Sequence, residues 1–99
     1  MGSAVIGGIR IKWDDDKSAL LKVKRDLFFE EFLCIYRQDF WGGKIDDLPT
    51  QHAMISWVGG SLITLIYEDK QDDEGDYDLL RTYWKTTNQE MKKYGIQKK

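Results

Sequence analysis

The sequence predicts an α+β domain with two β-hairpins and two helices in the order ββαββα. Three observations lead to it: alternating apolar residues near the N-terminus, an aromatic stripe with helical spacing at 27–39, and two apolar runs joined by a glycine pair at 53–67. A sheet of this kind packs helices against one face. The 99 residues are expected to form one domain over 4–99, after a cloning remnant at Met1–Ser3.

The first strand is predicted over about residues 5–13, where apolar residues alternate with Arg10 and Lys12. This period of two is typical of a strand with one buried face and one basic face in water. Residues 19–25 alternate in the same way and are predicted to be the hairpin partner. A single helix over 17–40 is the alternative, because the apolar residues there also fit helical spacing loosely. The sequence leaves both interpretations open.

A helix over about residues 27–39 is predicted from an aromatic and apolar stripe at i, i+3, i+4, i+7 and i+11. The stripe comprises Phe29, Phe32, Leu33, Tyr36 and Phe40. Asp26 is expected to cap the helix at its N-terminus. The pair Gly42-Gly43 is expected to end it, and residues 44–51 are expected to form a loop.

Residues 53–58 and 61–67 flank a Gly-Gly pair, and a two-residue spacing suits a tight hairpin turn with positive φ. A final helix is predicted over about residues 78–94, with Gly95 as its stop. A short strand over 77–84 followed by a shorter helix is the alternative, because the apolar residues there also alternate.

An acidic run follows the apolar segment 63–67, and only Lys70 offsets it. Its seven carboxylates are Glu68, Asp69, Asp72, Asp73, Glu74, Asp76 and Asp78. Because like charges repel one another, such a run is best tolerated on a solvated loop, here predicted over 68–78, where a partner carrying Lys or Arg can reach it. The sequence therefore predicts a protein partner with a basic surface. The expected acidic face consists of Asp69, Asp72, Asp73, Glu74 and Asp76.

Basic residues near the N-terminus are predicted to form a complementary binding face. They are Arg10, Lys12, Lys24 and Arg25. Weak self-association through the two faces is expected. The first alternative is a nucleic-acid-binding or accessory protein that uses the basic hairpin 10–25, although the net charge of −2 disfavours nucleic acid. The second is a phage or toxin-system inhibitor whose acidic loop blocks a cationic site.

No pattern in the sequence indicates catalysis, a metal or a cofactor, so a non-enzymatic protein is predicted. The acidic run does not fit a calcium loop, because Lys70 and Arg81 would occupy positions that require carboxylates. Cys34 is expected to be a small core residue, and His52 to lie in a loop or at the start of a strand. With a single cysteine and no apolar stretch long enough to span a bilayer, the chain is expected in the cytoplasm, away from membranes.

Three segments of the chain resemble the PB1 family of ubiquitin-like interaction domains. Residues 9–12 are similar to the first strand with its docking lysine, 28–32 to the opening of the first helix, and 66–76 to the acidic motif. The resemblance implies a ubiquitin-like roll in which the acidic motif of one domain pairs with the basic strand of another. Its implied contacts fall on Lys12, Lys24, Arg25, Asp69, Asp73, Glu74 and Asp76.

Overall fold

A six-stranded mixed sheet with helical segments on both faces forms the domain in a computed structural model, which describes residues 1–25, 27–47 and 50–96. The elements in chain order are β1 (Gly2–Ile6), β2 (Ile9–Trp13), α1 (Asp15–Arg25), a 3₁₀ helix (Phe29–Arg37), β3 (Trp41–Asp47), β4 (Thr50–Val58), β5 (Ser61–Asp72), β6 (Gly75–Lys85) and α2 (Asn88–Tyr94). The α+β class is confirmed. The predicted order ββαββα is wrong, because the sheet has six strands.

The strand order across the sheet is β1-β2-β6-β5-β4-β3. Strands β3 to β6 form an antiparallel meander. The N-terminal hairpin β1–β2 joins this meander through a parallel pairing of β2 with β6, in which Ile11, Lys12 and Trp13 lie opposite Asp78, Leu79 and Leu80. Strands β1 and β3 are therefore the two edges of the sheet.

The segment 5–13, predicted as one strand, lies within a hairpin. Gly7 and Gly8 have φ angles of 57° and 82°, and two successive positive φ values give the tight turn that reverses the chain between β1 and β2. Residues Gly2 and Ser3, expected to be a cloning remnant, lie in β1 opposite Trp13 and Lys12.

The predicted hairpin partner at 19–25 is wrong, because these residues belong to helix α1. The side chain of Asp14 accepts hydrogen bonds from the backbone of Asp16 and Lys17 and so caps the helix. Acidic residues in its first turn and basic residues in its last turn suit the helix dipole. The alternative of one helix over 17–40 is also wrong, because α1 ends at Arg25 and the next helical segment is 3₁₀.

The helical segment predicted at 27–39 is present as the 3₁₀ helix. Its buried residues are Phe29, Phe32 and Ile35, whose spacing of three matches the three residues per turn of this helix type. The predicted stripe is therefore wrong at Phe40, which is exposed. The expected cap at Asp26 lies outside the described residues.

The glycine pair at 42–43 does not end a helix, and the loop predicted over 44–51 is wrong at 44–47 and 50–51, while residues 48 and 49 lie outside the described residues. Gly42 and Gly43 lie in β3, and β4 begins at Thr50. A side chain on Gly42 would collide with the backbone of β4, because a Cβ atom there would lie 2.0 Å from the carbonyl oxygen of Ala53. The glycine therefore permits close approach of two strands.

The hairpin predicted around Gly59-Gly60 is confirmed, with φ angles of 58° and 83° at the two glycines. The loop predicted over 68–78 is wrong, because β5 runs to Asp72 and β6 begins at Gly75. The helix predicted over 78–94 is also wrong. The alternative of a strand followed by a shorter helix is correct, and Gly95, predicted as the helix stop, caps α2 with a φ of 67°.

The main core lies between the sheet and the pair formed by α1 and the 3₁₀ helix. At its centre, the buried Tyr83 ring packs on Phe29 and Phe32, and its hydroxyl donates to the carbonyl of Leu27 at 2.8 Å. A smaller core on the other face packs α2 against Ile55 and neighbouring residues. Cys34, predicted to be a core residue, is exposed.

Candidate functional site

The far end of the β5–β6 hairpin carries most of the acidic run. Its exposed residues Asp73, Glu74 and Asp76 lie at the turn and the start of β6, and we call these three residues the acidic tip. The tip is the two-residue turn of a strand pair and the start of its second strand, since Gln71 pairs with Asp76 and Asp72 with Gly75. Gly75 adopts a φ of 114°, which only glycine accommodates readily, and this permits the tight reversal.

Asp72 is held by two cations from strand β2. Its two carboxylate oxygens accept hydrogen bonds from Nη1 and Nη2 of Arg10 at 2.9 and 2.8 Å, and Lys12 Nζ donates to it at 2.8 Å. The bidentate geometry is the strongest form of this pairing. The hydrogen bonds from Arg10 and Lys12 hold the pKa of Asp72 well below its usual range, and the same contact raises the pKa of Arg10.

Further contacts fix this clamp, by which we mean Arg10, Lys12 and Asp72. The backbone amide of Glu74 donates to Asp72 at 2.9 Å, and Arg10 donates to the carbonyl of Gly75 at 3.1 Å. The ring of Tyr77 lies 4.5 Å from Lys12 Nζ, within cation–π range. The clamp therefore fixes the turn that carries the acidic tip.

Not every carboxylate of the acidic run is exposed. Glu68 is buried on the sheet, where Arg81 Nε and Lys70 Nζ lie 2.8 and 3.2 Å from its oxygens. The run therefore divides into carboxylates that are neutralised within the fold and carboxylates that remain at the tip. Asp73 and Asp76 have no ion-pair partner among the residues that the structure describes.

A second polar cluster lies on the opposite face, beside the 3₁₀ helix. Tyr36 donates to Asp78 at 3.0 Å, and His52 Nε2 lies 2.8 Å from Asp69 while its ring stacks on Tyr67 with 5.2 Å between centroids. Asp69 and Asp78 are directly opposite in the β5–β6 register, an arrangement of like charges that costs stability.

Burial decides the protonation behaviour of this second cluster. It raises the pKa of Asp78, although the hydrogen bond from Tyr36 opposes the shift. Burial also raises the pKa of Tyr67 to about 12, and it raises that of Tyr36, with the charge of Asp78 as the next cause. Both phenols are therefore neutral at physiological pH.

The four residues predicted as a basic face separate into two groups. Arg10 and Lys12 contact Asp72, so the predicted basic strand and acidic run meet within one chain. Lys24 and Arg25 lie at the other end of β6, where Arg25 donates to the carbonyl of Tyr83 at 2.7 Å. Whether any of the predicted site residues binds a partner stays a prediction.

Sequence reasoning missed the side-chain pairs that organise both clusters. His52, expected in a loop or at the start of a strand, is the third residue of β4, and its contact with Asp69 was not predicted. The sulfhydryl of Cys34 donates to the carbonyl of Glu31 at 3.5 Å, within its own helix. Within the described ranges, no three His, Cys, Asp or Glu side chains come together as metal ligands.

No protein-family model matches this sequence, and comparison with curated proteins gives no significant match. None of the helices in the described part of the chain combines the length and apolar content needed to cross a bilayer.

Proposed function

We propose that this chain is a non-enzymatic protein-interaction domain that docks a partner with a basic surface through its acidic tip. One observation carries the proposal: the clamp at Asp72 holds the turn while Asp73 and Asp76 remain exposed and unpaired among the described residues. Because the clamp holds the backbone of this turn, the tip loses less conformational freedom on binding than the same residues on an unrestrained segment would. The tip is therefore suited to pair with Lys or Arg at fixed spacing.

Electrostatic pairing of this kind acts chiefly on association rate and partner choice. The ion pair of Glu74 with Arg10, at 3.3 Å, leaves the Glu74 side chain 80% exposed. A cation of the partner can therefore approach Glu74 without breaking the clamp. Asp69 lies outside the acidic tip, on the opposite face of β5, where it contacts His52.

Of the two surfaces that the PB1 resemblance implies, only the acidic one is proposed to dock a partner. Front-to-back pairing requires a basic strand that is free to meet another domain. Here Arg10 and Lys12 contact Asp72 of their own chain, so docking through that strand would have to compete with the clamp. The expected partner is accordingly a different protein that supplies the basic surface.

Neutralising the acidic tip tests the proposal. The triple variant Asp73→Asn, Glu74→Gln, Asp76→Asn should keep the parent melting temperature within a few degrees, because exposed substitutions change stability by about 0.5 kcal/mol or less. Affinity for a basic partner recovered with the parent chain should fall about 30-fold or more, since loss of one side of a desolvated charge pair costs about 2–5 kcal/mol. Isothermal titration calorimetry of purified proteins measures the change.

A matched control separates the tip from overall charge. The variant Asp16→Asn, Glu30→Gln, Asp39→Asn removes the same three charges from exposed positions on other elements. It should bind the partner with nearly the parent affinity. Equal affinity of the parent and the tip variant for the partner would contradict the proposal. An equal loss of affinity in the tip and control variants would show that the attraction depends only on overall charge, and this would also contradict it.

A further inference from the structure

A pocket of about 450 Å³ lies at the opposite end of the β5–β6 hairpin from the acidic tip. It opens between the C-terminal end of α1, the β4–β5 turn and the end of β6. Its lining includes Lys24, Arg25, Val58, Ile63, Tyr83 and Lys85. The volume falls within the range of small-molecule sites in proteins, about 300–1,000 Å³.

Three cations line this pocket, and the described part of the chain places no Asp or Glu along it. Lys24 and Lys85 are exposed, and neither has an ion-pair partner among the described residues. A pocket lined by charges of one sign concentrates counter-ions from solution. It therefore favours an anionic occupant.

Arg25 is fixed at the edge of the pocket. Its Nη1 donates to the carbonyl of Tyr83 at 2.7 Å and to Oγ1 of Thr82 at 3.2 Å. These bonds use one nitrogen of the guanidinium and leave Nε and Nη2 without a partner among the described residues. Those two nitrogens form the fork that binds a carboxylate or phosphate in bidentate geometry.

The remaining lining is largely apolar. Val58, Ile63 and Tyr83 are buried members of the main core, and Leu27 packs against that core. Inorganic anions gain nothing from such a surface, whereas an apolar group attached to the anion would be removed from water there. The cationic and apolar parts of the lining therefore favour an occupant that carries both an anionic group and an apolar group.

We propose that this pocket binds a small amphipathic anion, namely a carboxylate or phosphate monoester attached to an apolar body. The anionic head pairs with the fork of Arg25 and with Lys24 and Lys85, and the apolar body lies against Val58 and Ile63. The site is independent of the acidic tip. The 12 residues of β5 separate the two by roughly 35–40 Å at about 3.3 Å per residue.

Three matched probes test which chemistry the pocket recognises: 2-naphthyl phosphate, neutral 2-naphthol and inorganic phosphate. Titration into the ¹⁵N-labelled full chain should give saturable chemical-shift changes with 2-naphthyl phosphate, centred on the amides of Lys24, Arg25, Gly59, Ser61 and Lys85. Naphthol and inorganic phosphate should each bind at least about tenfold more weakly, because each lacks one half of the recognised structure. Titration with 2-naphthoate then shows whether a carboxylate head is accepted as well as a phosphate.

Two charge variants test the lysines. The double variant Lys24→Gln, Lys85→Gln should weaken 2-naphthyl phosphate binding about tenfold. The control variant Lys92→Gln, Lys93→Gln removes the same charge from exposed positions of α2 and should leave the affinity for 2-naphthyl phosphate unchanged. Equal weakening in both pairs would overturn the proposal in favour of non-specific attraction. Shift changes centred away from the pocket, or equally tight binding of naphthol, would also overturn it. Because the pocket and the acidic tip are separate, an acidic-tip variant that binds its partner normally would not change the conclusion about anion binding in the pocket.

Discussion

At Asp72, one carboxylate accepts hydrogen bonds from two cationic side chains that lie 62 and 60 positions earlier in the chain. The contact joins β2 to the β5–β6 hairpin beyond the last backbone pairing of β2 with β6. It also lowers the charge of a segment that would otherwise repel itself. A residue that appears in the sequence to be one member of an acidic run is thus the residue that organises it.

The surroundings of Asp78 disfavour a negative charge, in contrast to those of Asp72, because the Asp78 carboxylate is partly buried and faces Asp69. Burial raises its pKa above the usual value, so the folded state holds the proton more tightly than the unfolded chain. Stability from this group is therefore greatest at low pH and is lost as pH rises through the folded pKa. For Asp72, whose pKa is lowered, stability is instead lost as pH falls.

The substitution Asp78→Asn should therefore raise the melting temperature at pH 7 by a few degrees, since the amide oxygen still accepts from Tyr36 and no charge is buried. The gain should disappear near pH 3, where Asp78 of the parent is protonated. Thermal unfolding followed by circular dichroism at the two pH values measures it. The exposed neighbour Asp76→Asn serves as the control, and a pH-independent gain at Asp78 would contradict the electrostatic cause.

At the scale of elements, edge strand β3 depends on a close approach at one glycine. Gly42→Ala should destabilise the fold by about 1–3 kcal/mol, because the new methyl group would lie 2.0 Å from the Ala53 carbonyl and the strand backbone would have to move. Gly43→Ala is the matched control, since a Cβ atom there meets nothing within 4 Å. Urea unfolding compares the two, and equal stability would show that β3 adjusts without cost.

Local patterns predicted the elements whose residues carry the signal themselves. The β4–β5 hairpin follows from two apolar runs around Gly59-Gly60, and the 3₁₀ helix from aromatic spacing, although its period of three was not recognised. Strand β3 was missed because its glycines, which the fold uses for close contact with β4, also mark helix ends. The end of β5 was missed because ion pairs, and not alternating apolar residues, stabilise its polar side chains.

The candidate site was predictable to a similar degree. The exposure of Asp73, Glu74 and Asp76 follows from charge alone, because carboxylates without partners remain in water. The pairing of Asp72 with Arg10 could not be predicted, since it depends on the parallel contact of β2 with β6 across most of the chain. The pocket depends in the same way on three segments that only the fold brings together.

Across the whole molecule, charge is separated along the longest strand pair. The acidic tip lies at one end of the β5–β6 hairpin, and Lys24, Arg25 and Lys85 lie at the other. The principal extent of the described molecule is 42 Å, several times the Debye length at physiological salt, about 8 Å. Each end therefore acts on its surroundings almost independently under those conditions.

The separation predicts weak head-to-tail association of the isolated chain at low salt. Sedimentation velocity should show a concentration-dependent increase in mean mass at 0.01 M salt, where the Debye length is about 30 Å, and a monomer at 0.15 M. The acidic-tip variant should remain monomeric in both, while the Lys92→Gln, Lys93→Gln control should still associate. A parent chain that is monomeric at high concentration in low salt would show that the two ends do not attract one another measurably.

The parallel contact of β2 with β6 has a further consequence for the order in which the chain folds. Within the meander β3 to β6, each strand pairs with the strand next to it in sequence, so the meander can form from contacts of short range. The N-terminal hairpin joins the meander only through β6, although it precedes β6 in the chain. During translation, β2 therefore lacks its parallel partner until β6 has left the ribosome, and the clamp at Asp72 can form only after the β5–β6 hairpin has been made.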